Sequence, residues 1–118
     1  MKITQTLTTL YVQDCEQSAP WYTTLLGRPF DASPMPSCRE WNTSPGAILQ
    51  VISNPQRAGK NAVAFVIDDF EATLSTLRAQ AIPVGDVREI PGFIHWVALR
   101  DPEGNEITLV KSLVRESL

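Results

Sequence analysis

The chain holds a single histidine, His95, in the stretch FIHWVAL. An imidazole titrates near neutrality, so it can exchange a proton or donate a hydrogen bond to a ligand. Glu106 stands two residues before Thr108 in NEITLVK. Residues two apart on a strand point to the same side, so this carboxylate and this hydroxyl would be neighbours on one face. If that face lined a cavity, Glu106 would serve as a general base or seat a cationic group. His95 and Glu106 are the candidate catalytic residues. Each has a plainer alternative: a hydrogen-bonded or solvated histidine on a sheet face, and a solvated carboxylate at a strand end.

Other reactive types are sparse. Cys15 and Cys38 lie too far apart for a CxxC redox or zinc motif and read as small buried apolar residues. There is no phosphate loop, no nucleophile elbow and no Ser/His/Asp order. Of the three tryptophans, Trp21 adjoins Tyr22 within a helical pattern and is assigned to packing. Trp41 and Trp96 fall on strand-like segments, where an indole offers a flat face and one N–H.

These residues need a scaffold. The 118 residues suit one domain, which would bury roughly two thirds of its unfolded surface. Hydrophobic residues make up 43% and charged residues 19%, which excludes a disordered chain. No apolar run approaches the roughly 20 residues of a membrane span. The opening MKITQTLTTLYV lacks the apolar core of a signal peptide, so the expected location is the cytoplasm. With 10 basic and 13 acidic residues and no basic run, nucleic acid is not an expected partner.

Residues 3–12 alternate and are rich in Thr, which reads as a strand. Asp14 offers a cap for the helix EQSAPWYTTLLG, which Pro20 should confine to a start near Ser18, and Gly27 should stop it. Short strands follow near 28–33, 37–43 and 46–53. Residues 60–68 read as a strand, and Asp69 as the cap of the helix FEATLSTLRAQA. Strands at about 86–90, 93–100 and 105–111 complete the series, and the tail SLVRESL stays unclassified.

The two halves repeat. A shift of 55 lays Cys15, Ala19, Tyr22 and Leu26 on Phe70, Leu74, Leu77 and Ala81, both sets spaced as one apolar helical face. A shift of 58 lays Gly46 on Gly104, Leu49 on Ile107 and Gln50 on Thr108. The expected fold is therefore α+β: two βαβββ modules, about 1–55 and about 60–118, joined by NPQRAG within a single domain. Their curved, half-open mixed sheets would leave a concave ligand cup, and the apolar faces left over suggest a symmetric dimer.

YVQDCEQSAPWYTTLLG resembles the first strand and helix of a known family, which read V-x-D, then F-Y, then L-L-G. FVIDDFEATLSTLRAQAI looks like the start of its second module. WVALRDPEGNEITLV, with its DPxGN turn, looks like its ending. The family is the vicinal oxygen chelate superfamily, the glyoxalase/bleomycin resistance/dioxygenase proteins, and the resemblance covers nearly the whole chain. It implies paired modules, commonly a homodimer, and sites within the concave sheets. The family's enzymes hold a divalent metal with one residue from each of four strands. Carried over, those positions are Leu7, Gln50, Ala62 and Thr108. Leu7 and Ala62 have no donor atom, Gln50 and Thr108 are weak neutral ligands, and one histidine cannot build a triad of two histidines and a carboxylate. No metal and no cofactor are expected.

In metal-free family members that bind drugs, aromatic side chains of the sheets stack on the ligand. By that resemblance Trp41 is the foremost ligand-binding candidate, its plainer alternative being an ordinary dimer or core tryptophan, with Trp96, Tyr11, Thr9, Gln50 and Thr108. Tyr11 and Thr9 share the parity of Leu7 on the first strand. The expected function is metal-free binding of a small molecule, in its sharpest form sequestration of an antibiotic or toxic aromatic compound. The alternative is a lyase, isomerase or dioxygenase-like enzyme with a relocated or absent metal site.

Overall fold

The computed structural model describes residues 1–114. Of the unclassified tail at 112–118, residues 115–118 lie outside the described residues. The architecture is α+β, a duplicated βαβββ unit. The first copy comprises β1 (Thr6–Val12), α1 (Cys15–Leu26), β2 (Ala32–Met35), β3 (Cys38–Ser44) and β4 (Ala47–Ser53). The second comprises β5 (Ala62–Val66), α2 (Phe70–Ala79), β6 (Arg88–Ile90), β7 (Ile94–Arg100) and β8 (Glu106–Ser112). Each copy forms an open four-stranded sheet, in the orders β1-β4-β3-β2 and β5-β8-β7-β6. The first strand runs parallel to the last, and the remaining pairs are antiparallel. Each helix, with the two strands that follow it, makes the long connection that such a parallel pair requires.

The chain divides into two compact units, one of 1–61 with 101–105, the other of 62–100 with the chain from Glu106 onward. In the first, α1 lies on one side of its sheet and buries Cys15, Ala19 and Tyr22, while the sheet buries Leu10, Val12, Trp41, Leu49 and Val51. In the second, Phe70, Leu74 and Leu77 of α2 are buried, as are Val97, Leu99, Ile107 and Leu109 of the sheet. The repeat holds in detail: Leu49 and Ile107 point into the cores, and Gln50 and Thr108 stay half-buried. Only its last match fails, because Leu26 is half-buried and Ala81 is exposed beyond the end of α2.

Three local expectations need correction, the first being the strand near 28–33, which lies instead at Ala32–Met35. Helix α1 begins at Cys15 rather than near Ser18, with Pro20 inside it. Proline at the sixth helical position forfeits one bond, to the carbonyl of the exposed Glu16, which water can reach. The Asp14 carboxylate accepts the Glu16 N–H at 2.9 Å and fixes the start, and Gly27, at φ 78°, closes the helix through its N–H to Thr23 O. Asp69, by contrast, makes no side-chain cap for α2. That helix relies on its buried face.

The turn DPEGN, between β7 and β8, belongs to the first unit. Asp101 and Asn105 are the buried polar residues of the described chain. The Asp101 carboxylate accepts four hydrogen bonds: from Tyr22 Oη at 2.6 Å, from the Glu103 and Asn105 backbone N–H groups, and from Asn105 Nδ2. Asn105 Nδ2 also donates to Tyr11 O, and its Oδ1 accepts the Asn61 N–H. Glu103 accepts the Gln13 N–H and the Ser18 hydroxyl. Burial and the Asp101 bond push the Tyr22 hydroxyl far above its ordinary range, so it stays a donor. A Cβ at Gly59 would lie 2.2 Å from Glu103 O, so the backbones meet there with no room for a side chain.

Removing Asp101 would strand four donors in the interior. Asp101→Ala is expected to lower stability by about 3 kcal/mol or more, and Tyr22→Phe by about 1–2 kcal/mol. Chemical denaturation of both variants checks the order; equal losses would mean that the hydroxyl alone carries the network.

Candidate functional site

Side-chain parity divides each sheet into a face against its helix and a face turned away. In the first sheet, register places Thr9, Gln50 and Glu40 in one row across β1, β4 and β3. Leu7, Ile48 and Asn42 form the row on one side, and Tyr11, Ile52 and Cys38 the row on the other. All nine occupy the face away from α1, because Leu10, Leu49, Val51 and Trp41 occupy the alternate positions. The middle row is linked by hydrogen bonds. Thr9 Oγ1 donates to Gln50 Oε1 at 3.0 Å, and Gln50 Nε2 donates to Glu40 Oε2 at 2.7 Å. Arg57 lies over the Tyr11 ring, 5.5 Å from its centroid.

In the second sheet the face away from α2 carries a floor of small residues. Ala64, Thr108 and Ala98 align across β5, β8 and β7. Val66, Val110 and Trp96 form the next row, with Val66 61% exposed. On the other side stand Ala62, Glu106 and Arg100, and Arg100 and Glu106 approach to 3.9 Å.

The expected ligand residues thus fall on the faces away from the helices in five cases: Thr9, Tyr11 and Gln50 in one sheet, Thr108 and Trp96 in the other. Trp41 is the exception. It is fully buried on the α1 side, its Nε1 donates to Arg28 O at 3.0 Å, and its ring meets Tyr22 and Phe30 at 6.0 and 5.9 Å. As the largest buried side chain it serves the core and presents no surface for stacking. Trp21, half-buried and edge-on to Tyr22 at 4.9 Å, packs as expected.

The two catalytic candidates are separated. Glu106 is half-exposed beside Thr108, but His95 points to the helix side of β7, where Nε2 lies 3.1 Å from Glu89 Oε2. Its cross-strand neighbour Lys111 pairs with Glu71 at 2.7 Å, and that hydrogen bond holds the Glu71 carboxyl below its usual range. His95 and Glu106 therefore cannot act on one substrate from one face. Glu40 was missed in the sequence. The signal was available: once the bulk of Trp41 is assigned to the core, its neighbour must point the other way.

The donor set does not fit a divalent metal. Leu7 and Ala62 supply no ligand atom, and the Gln50 amide is committed to Thr9 and Glu40. Thr108 has only alanines across from it. Among the described residues no group of three or more His, Cys, Asp or Glu is placed to hold a metal ion. An open pocket of about 510 Å³ lies at the β3–β4 end of the first unit, lined by Gln5, Arg28, Asp31, Asn42, Ser44 and Ile48 among others. Its cation is neutralised, since Arg28 Nη2 pairs with Asp31 at 2.6 Å. The Asn42 N–H and Arg28 hold the Asp31 carboxyl below its usual range. No described helix is long and apolar enough to cross a membrane.

No protein-family model matches the chain, and no curated protein is similar to it in sequence. Solved structures are similar in fold. A glyoxalase/bleomycin resistance protein from Catenulispora acidiphila matches with a TM-score of 0.82 at 22% identity, over 91% of this chain and 96% of its own. A lactoylglutathione lyase from Agrobacterium tumefaciens matches at 0.75 and 18%, over 93% and 94%. An antibiotic binding protein from a Streptomyces species matches at 0.73 and 18%, over 92% and 94%. The chain has the two-module fold of these proteins.

Because Trp41 is enclosed, Trp41→Ala is expected to cost about 3–5 kcal/mol of stability. Thermal and chemical denaturation check this; a variant as stable as the parent would return Trp41 to the list of ligand contacts.

Proposed function

We propose that the protein binds a small aromatic or amphiphilic molecule, without a metal, on the sheet faces turned away from its helices. The observation that carries this reading is the second sheet's floor of Ala64, Thr108 and Ala98, flanked by the half-buried indole of Trp96. Small residues in the row beside one large aromatic leave space for a planar guest, and aromatic stacking contributes about 0.5–1.5 kcal/mol beyond area burial. Thr108 supplies the polar contact. Tyr11, Thr9 and Gln50 supply others on the first sheet. The likeness to an antibiotic binding protein supports the sharper version, in which binding sequesters an antibiotic or toxic compound in the cytoplasm. We further read the active form as a homodimer, because Val66, Phe93, Val87 and Ile90 leave apolar surface exposed at 61, 58, 51 and 49%. A second reading, an isomerase or lyase with a relocated or absent metal site, draws on the likeness to a lactoylglutathione lyase and on half-exposed Glu106 beside Thr108.

A thermal-shift screen of planar aromatic compounds, followed by calorimetry, tests the reading. Trp96→Ala should weaken a hit about tenfold, since 1.4 kcal/mol is one decade, whereas Trp21→Ala should lower the melting temperature and leave affinity nearly unchanged. Unaltered affinity in Trp96→Ala removes the stacking site. Stoichiometric Zn, Ni, Mn or Fe after chelator-free purification, with an activity lost to EDTA, would replace binding by catalysis. Light scattering at micromolar concentration should give twice the monomer mass; monomer alone rejects the dimer.

A further inference from the structure

The Thr9–Gln50–Glu40 row has a fixed polarity. The Gln50 amide admits one orientation beside an ionised Glu40: its NH2 must face the carboxylate, because a carbonyl there would set two acceptors together. Its carbonyl then faces Thr9, whose hydroxyl must donate to it. Two of the row's three polar hydrogens are thereby directed inward. What remains for a visitor is the Thr9 lone pairs, the second lone pair of Gln50 Oε1, and the unengaged lone pairs of Glu40, against a single amide hydrogen on Gln50. The row is acceptor-rich and carries a full negative charge. Among the described residues no lysine, arginine or histidine forms an ion pair with Glu40. Arg57, a row away, is engaged with the Tyr11 ring and hydroxyl. All three residues are half-buried, so the row is partly desolvated yet reachable. Leu7 and Ile48 flank it on one side, Tyr11 and Ile52 on the other.

We infer that this row selects ligands that carry a hydrogen-bond-donating cation, an ammonium, amidinium or guanidinium, attached to an apolar or aromatic body. The cation meets Glu40 and the acceptors of Gln50 and Thr9, and the body lies on the flanking apolar rows. A charge-assisted hydrogen bond is about twice as strong as a neutral one, and its worth rises where water is partly excluded. An anionic ligand of the same shape would face Glu40 with like charge. This inference rests on the binding reading above and narrows it to cationic amphiphiles.

Three probes of one shape separate the possibilities: 2-naphthylmethylamine, 2-naphthylmethanol and 2-naphthoate, titrated by calorimetry at neutral pH and low salt. The amine should bind about tenfold or more tighter than the alcohol, the naphthoate more weakly than either, and added salt should erode only the amine's advantage. Glu40→Gln keeps the contact to Gln50 and removes the charge. It should make amine and alcohol equal and leave the alcohol unchanged. Thr9→Val, which removes one acceptor, should weaken the amine about two- to tenfold. An amine preference that persists in Glu40→Gln, or no preference in the parent, overturns the inference while binding of the alcohol leaves the proposed function standing. Failure of all three probes to bind overturns both.

Discussion

The first unit depends on one buried carboxylate. A carboxylate taken from water costs several kcal/mol unless its lone pairs are met by donors. Asp101 is 4% exposed and has four of them, including the hydroxyl of Tyr22, which lies 79 positions earlier in the chain. Through Asn105 the same network fixes the Tyr11 carbonyl of β1 and the Asn61 amide. The strand that supplies Leu7, Thr9 and Tyr11 is thus held by groups remote from the sheet's own ladder. No described buried side-chain polar atom is left without a partner, so this polar centre rigidifies the unit rather than weakening it.

Much of this was legible in the sequence because two periodicities suffice. The spacing of Cys15, Ala19 and Tyr22, echoed by Phe70, Leu74 and Leu77, marks both helices, and the shift of 58 from Leu49 and Gln50 to Ile107 and Thr108 sets the strand parity of both sheets. What was not legible depended on neighbours distant in sequence. Pro20 looked like a boundary, but Asp14 nucleates the helix upstream of it. Asp69 looked like a cap, but its side chain makes no such bond. A tryptophan on a strand reads equally as a stacking or a core residue, and what decides for the core is a backbone carbonyl of the segment after α1, which satisfies the Trp41 N–H.

The candidate site follows from the same parity. Setting Trp41 inward turns Glu40 outward, opposite Gln50, and changes the first sheet's free face from aromatic to anionic. The second sheet keeps its tryptophan on the free face, one row from the alanines. Two halves that repeat in fold have diverged in chemistry: hydrogen-bond polarity in one, flat apolar contact in the other. Neither retains the donors that a divalent ion would need.

The contact between Gly59 and the Glu103 carbonyl bears on how this chain can change over generations. In the loop that it ends, at 54–59, Arg57 is engaged with Tyr11, and the exposed Pro55 and Gln56 are free to drift. Gly59 is not, since even a methyl group would collide with main chain that cannot swing aside. Inheritance can therefore rewrite the text of this connection while its last letter stays the same.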